Sequence, residues 1–311
     1  MQRRGVKVNR LRPVELDPLD EYGLPSKGEK RLLSPKIQET YYAKIAERYL
    51  AFCTKAGDRD SLQKQFGRLN LTDKDTAPSP GATTTAPSAV QPFTRIIVPS
   101  PTLSLPQNQL SQILSALRKL REAIVASKRR DDFAVQVYLF AIRLGILSGA
   151  YETYHPALLY LLRVLHPARN LTNLELREAA SYLILDTACR RGDLAEAYKI
   201  RHEYRVILRG GSSGGDSKVD GILKALVRDD WVLWRKMKRT VDGYVCRLME
   251  FSDGQMKAHV LKAFGRSYLS VEVDYLEKAS LSGWEELREK FGVGWELKDG
   301  RVVIRKTQPR K

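Results

Sequence analysis

Apolar positions recur at intervals of three and four along most of the chain, and the pattern is densest toward the C-terminal end. In residues 252–306 it predicts three short helices and a hairpin. Met256, Val260 and Phe264 share one helical face behind Ser252 and Gln255, which together read as a capping box. Ser270 is expected to cap a second helix, with Val273 and Leu276 turned inward, and Trp284, Leu287 and Phe291 mark a third that Gly292 can end. Trp295, Leu297, Val303 and Ile304 flank Asp299-Gly300, a dipeptide suited to the positive φ of a type I′ turn. Strands are therefore expected at 294–298 and 301–306. Three short helices ahead of a hairpin predict a winged-helix module over 251–306.

The segment 108–250 is helical throughout in its pattern. Leu110, Ile113, Leu114, Leu117, Leu120 and Ile124 line a first helix. Phe133, Val137, Phe140, Leu144 and Leu147 line a second, ended by Ser148-Gly149. Leu158, Leu161, Leu162 and Leu165 belong to a third that is expected to stop at His166-Pro167. Thr172 and Glu175 form a capping box for the next, running to Arg191-Gly192, and Asp193 and Glu196 repeat the device. After Gly210–Gly215, expected to be a flexible loop, Ile222, Leu223 and Leu226 begin a short helix. One long helix is then expected, with Trp231, Trp234, Met237, Val241, Tyr244 and Leu248 on a face and Gly243 as a site for a kink or close contact. Short connections make such helices antiparallel neighbours, so the fold class is mainly α: a tetratricopeptide-like solenoid of helical hairpins, followed by the winged helix with its β-hairpin. No strict 34-residue repeat accompanies it.

The first 107 residues read differently. Residues 1–34 are expected to form a basic, disordered tail, with Arg3, Arg4, Lys7, Arg10 and Arg12 ahead of Glu15, Asp17, Asp20 and Glu21. A mitochondrial presequence would stay Arg-rich and acid-poor for longer. Residues 35–70 hold an isolated helical segment: Ser34-Pro35 opens a helix over 35–56 with Ile37, Tyr41, Ile45, Tyr49 and Phe52 on one stripe, and a weaker helix follows near Leu62–Leu69. Residues 71–107 are a Pro/Ser/Thr-rich linker, without charge between Thr76 and Gln91, in which only Phe93–Val98 could dock as an extended piece. A basic tail, 307–311, ends the chain.

Composition narrows the function classes. The 53 Lys and Arg against 36 Asp and Glu leave a net charge of +17, which favours polyanionic partners without choosing among them. No apolar run approaches the roughly 20 residues of a membrane span, so no membrane role is expected. Three scattered cysteines, Cys53, Cys189 and Cys246, suit a reducing compartment, cytoplasm or nucleus. His155, His166, His202 and His259 show no ligand spacing, and Gly210–Gly215 lacks the Gly-Lys-Ser/Thr end of a phosphate-binding loop. No catalytic constellation, metal or cofactor is expected. Trp231 and Trp234 sit in an apolar stripe and read as core, not as base-stacking residues.

The run from Ala225 to Lys306 resembles the C-terminal half of small PCI-domain subunits, those grouped with signalosome subunit eight, a proteasome lid subunit and initiation factor subunit k; the export relatives of the GANP type share the ground plan. In these a long helix leads to a Tyr-Leu-Ser entry (Tyr268-Leu269-Ser270 in this sequence), a short helix, a Trp-bearing helix and a hairpin. With looser matching the resemblance reaches back to about residue 131, and it does not cover the first 107 residues. It implies a non-catalytic scaffold of a proteasome-lid (regulatory particle), signalosome or translation-initiation complex. Its partners would be other PCI or MPN subunits, bound through the solenoid and the hairpin edge. The corresponding interface residues are Trp295, Leu297, Arg301, Val303 and Arg305, with Val303 packing inward and Arg305 left for a partner. The N-terminal extension, the linker, the Gly/Ser loop and the charge depart from a minimal subunit of that kind.

The alternative is an RNA-associated protein in messenger RNA export, processing or ribosome assembly, contacting RNA through Arg3, Arg4, Arg10, Arg235, Lys236 and Arg239. Sequence-specific DNA reading is not expected, because Glu285, Glu286 and Glu289 outnumber Arg288 and Lys290 on the helix that would enter a groove.

Overall fold

The computed structural model describes residues 17–56, 106–208 and 218–305. The described chain is mainly helical, with one small antiparallel sheet near its C-terminal end. It forms two compact units, Met1–Asn170 and Leu171–Lys311, so the division falls inside the segment expected to be a single solenoid. The expected helix near Leu62–Leu69, the linker with Phe93–Val98, the Gly210–Gly215 loop, Arg3, Arg4, Arg10 and the 307–311 tail lie outside the described residues.

In the first unit, helices α1 (Pro35–Ala56), α2 (Pro106–Ala126), α3 (Asp132–Ser148) and α4 (Tyr151–Tyr160) each pack on the next. The turn into α3 is built locally: Asp131 accepts from the Ala134 N–H at 3.1 Å, and Arg129 holds the same carboxylate at 2.7 Å. Gly149, in the left-handed region at φ 70°, ends it. The α3 helix is buried on nearly every face, including Ala134, Val137, Ile142, Leu144 and Ile146. At Gly145 the backbone of α4 comes so close that an added Cβ would stand 2.9 Å from Tyr154 Cβ and 3.1 Å from its backbone nitrogen. Beyond Tyr160 the helical run ends at Ala168, one residue past the stop expected at His166-Pro167. A π-helical turn, Leu161–Leu165, passes the chain into His166–Ala168, and its widened ring accommodates the proline that lacks an N–H.

Two expectations for this unit are corrected. Residues 17–34 are ordered: they carry two 3-10 turns, Pro25–Lys27 and Arg31–Leu33, and Leu19 and Leu32 are buried. Long-range polar contacts pin them, with Arg48 forking onto Asp17 at 3.0 and 2.9 Å and the Tyr41 hydroxyl donating to the Leu19 carbonyl at 2.8 Å. Nor is α1 isolated, for it lies along α2. Its buried Gln38 donates to the Leu32 carbonyl at 2.9 Å and to Ser127 Oγ at 3.1 Å, and Tyr42 and Tyr49 meet Phe140 edge to face.

The second unit opens with α5 (Asn173–Leu185), where Thr172 and Glu175 make both arms of the expected capping box. A π-helical turn, Asp186–Arg190, extends it, with the fully buried Asp186 carboxylate forked by Arg190 at 2.7 and 2.8 Å. Helix α6 (Leu194–Glu203) has one arm of the predicted device, Asp193 accepting from the Glu196 N–H at 2.9 Å. Then come α7 (Arg205–Leu208), α8 (Lys218–Arg228), α9 (Trp231–Thr240) and α10 (Gly243–Met249). The single long helix expected here is two. Val241 is extended at ψ 163°, and Asp242 accepts from the Val245 N–H at 2.9 Å, so Gly243 is a first helical residue and not an interior kink. A β-branched residue followed by a strong N-cap gives the backbone a better alternative to continuing.

Helix α11 (Asp253–Ser267) follows directly, then β1 (Ser270–Glu272), α12 (Val273–Ser280), α13 (Trp284–Phe291), β2 (Glu296–Lys298) and β3 (Arg301–Val303). Ser252 makes no cap; it is in the helical region, and its Oγ donates to the Cys189 carbonyl at 2.9 Å. Ser270 does not cap a helix either: it opens a strand that pairs with Val303. The sheet order is β1-β3-β2, all antiparallel, with Asp299 (φ 48°) and Gly300 (φ 74°) supplying the expected turn. Val260, Leu261, Phe264, Val271, Leu276, Leu287 and Val302 form its core, giving a winged-helix-like end.

Three outcomes follow, at Gly145 and Asp17 in the first unit and at Gly221 in the second. Gly145→Ala gains helix propensity but drives a methyl into the α4 backbone, so it is expected to cost about 1–2 kcal/mol net and lower the thermal midpoint. Gly221→Ala, whose Cβ would meet the Sδ of the flexible Met237 side chain at 2.6 Å, should cost less. Burial raises the Asp17 carboxyl, but the Arg48 and Leu19 hydrogen bonds and the Arg48 and Lys119 charges outweigh it and hold it below the usual range. A depressed carboxyl contributes stability above its unfolded value near 4, and that contribution is lost as pH falls. Acid titration of the melting midpoint should therefore flatten below pH 4 in Asp17→Asn relative to the parent chain.

Candidate functional site

The C-terminal sheet and the helix that buttresses it form the candidate interaction site. The sheet order decides which backbone groups are free. Because β3 lies between β1 and β2, its N–H and C=O groups are taken up on both sides, and the outer edges belong to β1 and β2. The five residues expected at a partner interface accordingly separate. Arg301 and Val303 sit on the covered central strand, Arg301 opposite Glu272 and Lys298, Val303 opposite Ser270 and Glu296. Val302, not Val303, is the residue turned fully into the core, as the pleat alternation requires. Trp295 is half-buried against the core cluster. Arg305, though exposed, donates to the Gly265 carbonyl at 2.5 Å and so ties the strand end to α11. Leu297, 45% exposed, is the one member on an outer edge.

That β2 edge is short and charged, with Lys298 and Glu296 paired at 3.0 Å, a combination that discourages strand addition. The β1 edge is equally short and carries the exposed Glu272, but its flanks differ. Tyr268 and Leu269 immediately precede it and Tyr275 follows on α12, all exposed although apolar in bulk. Phe264 stacks on Tyr268 with ring centroids 5.2 Å apart and meets Tyr275 at 6.0 Å. The nearby Tyr275 charge and the hydrogen bond between the two phenols push the Tyr268 phenol above its ordinary value. The Leu269 carbonyl takes both the Ile304 N–H (2.8 Å) and the Arg305 N–H (3.1 Å), which fixes the entry to β1. Nothing local in Tyr268-Leu269-Ser270-Val271-Glu272 announces a strand edge, because its pairing partner lies about thirty residues further on, in β3.

The buttress is α9. Trp234 is fully buried, and its indole N–H donates to Asp253 Oδ1 at 3.0 Å; the other oxygen of the same carboxylate takes Lys238 Nζ at 2.5 Å. Trp231 packs against the sheet's core cluster and donates to the Ala279 carbonyl at 2.6 Å. Both tryptophans are thus packing residues, as their spacing predicts. Arg235, expected as an RNA contact, donates to the Lys278 carbonyl at 3.2 Å; Lys236 and Arg239 are exposed on α9. On α13 the exposed positions include Glu285 and Glu289 beside Arg288 and Lys290, and Lys290 is 3.4 Å from Glu286, so the helix offers no basic face for a DNA groove.

The histidines do not converge. His155 and His166 belong to the first unit, His259 lies 2.7 Å from Asp229, and His202 lies 2.6 Å from an Arg205 nitrogen. Among the described residues no group of three metal-ligating side chains gathers, and no helix is long and apolar enough to cross a membrane. Burial pushes the Cys189 thiol up to about 12, only partly offset by the Ser252 hydrogen bond. No family model matches this chain, and no curated protein matches it.

The Asp253 carboxylate carries two dependants, which ranks its variants. Asp253→Ala leaves a buried indole N–H and a partly buried ammonium without an acceptor, for an expected loss of about 2–4 kcal/mol in urea unfolding. Asp253→Asn keeps an acceptor for Trp234 and should lose roughly half as much.

Proposed function

We propose that this chain is a non-catalytic assembly subunit of the PCI type, joined to other PCI or MPN subunits in a cytoplasmic or nuclear complex of the proteasome-lid, signalosome or translation-initiation kind. The observation that carries this reading is the outer β1 edge, which pairs with no strand among the described residues, with Tyr268, Leu269 and Tyr275 exposed around it. An exposed strand edge recruits a partner strand through main-chain hydrogen bonds, and the flanking apolar side chains supply the buried area that makes the pairing selective. The acidic character of α13 supports the same conclusion, since it favours a protein surface over a phosphate backbone. The helical hairpins ahead of the sheet act as the platform that holds this edge in a fixed orientation.

The interface therefore moves from the central strand to its outer neighbour. Of the residues the sequence nominated, Leu297 alone is at an outer edge, that of β2, and the proposed contacts are instead Tyr268, Leu269 and Tyr275 beside β1. Arg301, Val303 and Arg305 hold the sheet together instead.

Affinity purification of the tagged full chain, followed by mass spectrometry, tests the proposal. The parent chain should recover a stoichiometric set of PCI or MPN subunits, and Leu269→Asp with Tyr275→Asp should lose them at unchanged melting temperature, because both side chains are exposed. Recovery of the parent as a lone monomer, or full retention of partners by the double variant, would overturn it.

A further inference from the structure

Helices α6 and α8 face one another across an open groove of about 560 Å³ whose chemistry the assembly role does not use. Its floor is an ion pair joining the two helices, Arg201 forking onto Asp220 with both contacts at 2.6 Å. That fork satisfies both charges, so neither is available to a ligand. The rest of the lining is cationic at Lys224 and Arg228, aromatic at Tyr198 and His202, and apolar at Val227. Tyr198 is 42% exposed on α6, and Lys224 and Arg228 rise one turn apart on α8, with no ion-pair partner among the described residues. Arg205, which does not line the groove, donates to Nε2 of the lining residue His202 at 2.6 Å, a contact that requires the ring nitrogen to act as acceptor. The acids of α8 and the turn after it are already engaged: Asp220 with Arg201, Asp229 with His259, and Asp230 with the Leu233 N–H.

We propose that this groove binds single-stranded nucleic acid, seating a base against the Tyr198 ring and the adjoining phosphates on Lys224 and Arg228. An acidic peptide would call only for the cations. An exposed phenol ring beside two unpaired cations matches a flat π face carrying a charged backbone, the pairing by which single-stranded nucleic acid is held without sequence reading. A duplex keeps its bases stacked inside and could not present one to Tyr198. The proposal is independent of the sheet-edge contacts and stands or falls apart from them.

Fluorescence anisotropy of the full chain with a labelled twelve-nucleotide oligouridine tests it. Lys224→Glu with Arg228→Glu should weaken binding at least ten-fold and flatten the slope of log K against log salt by about 1.4, the release expected for two phosphates of a single strand. Tyr198→Ala should weaken it about ten-fold, and Tyr198→Phe should not. Lys236→Glu with Arg239→Glu imposes the same charge change on α9 and should alter binding less than two-fold. Ultraviolet cross-linking of a 4-thiouridine oligomer, mapped to the Tyr198 peptide in the parent chain, provides a readout if the charge variant fails to fold. Equal weakening by both double variants, no effect of Tyr198→Ala, cross-links confined to other peptides, or displacement of the RNA by an equimolar oligoglutamate peptide would each overturn the proposal.

Discussion

The second unit depends on one carboxylate. Asp253, the first residue of α11, takes the Trp234 indole N–H on one oxygen and the Lys238 ammonium on the other. A tryptophan can be buried completely only if its N–H has an acceptor, and a charged acceptor inside a packed surface is stable only if a cation balances it. One group meets both conditions, and it does so at a helix N-terminus, where the macrodipole also favours negative charge. Through Asp253, α9 is locked onto α11; Trp231 and Arg235, at the same helix's N-terminal end, then reach the carbonyls of Ala279 and Lys278 where α12 finishes. The winged-helix-like end is therefore held from outside its own sequence boundaries.

That attachment matters because the sheet is minimal. Three strands of three residues each bury Val271 and Val302 but could not stand alone, and their twist and register are set by the helices beneath. Placing β3 in the centre covers the strand with the most regular apolar content and turns β1 and β2 outward. The two edges then differ in kind: β2 carries a Glu–Lys pair, while β1 is flanked by tyrosines and a leucine. An edge blunted by charge next to an edge lined with apolar surface gives the sheet one side suited to association.

Local chemistry made much of this legible in the sequence. The Thr172–Glu175 box, the Gly292 stop and the Asp299-Gly300 turn all occur as their residue types require, because each is decided within four residues. Features decided at long range were not legible. The strand character of Ser270–Glu272 depends on β3, and the order of residues 17–34 depends on Arg48, Tyr41 and Lys119, which meet Asp17, Leu19 and Asp20 only after α1 and α2 have packed. The break at Asp242 was visible in principle, since Val-Asp-Gly is a plausible N-cap, but the apolar stripe running through it favoured one continuous helix. The interface suffered most. An alternating strand pattern says which face is apolar and nothing about whether the strand lies at an edge or in the middle.

The surplus positive charge takes on a definite meaning once the acids are followed. Asp131, Asp193, Asp230 and Asp242 cap helices, Glu175 closes a capping box, Asp186 binds Arg190 within its own π-helical turn, and Asp17, Asp220 and Asp253 bind arginines or lysines across packed elements. These nine carboxylates are committed to building the fold, while among the described residues cations such as Lys224 and Arg228 are exposed. A chain with this division of labour presents a positive exterior whatever its partner, so net charge by itself is weak evidence for nucleic acid. The informative case is a place where unpaired cations meet an exposed aromatic ring in a concave site, since folding alone gives no reason to leave a large π face uncovered there. The groove between α6 and α8 is such a place, and the acidic α13 is its opposite; the charge of this protein is better read site by site than as a total.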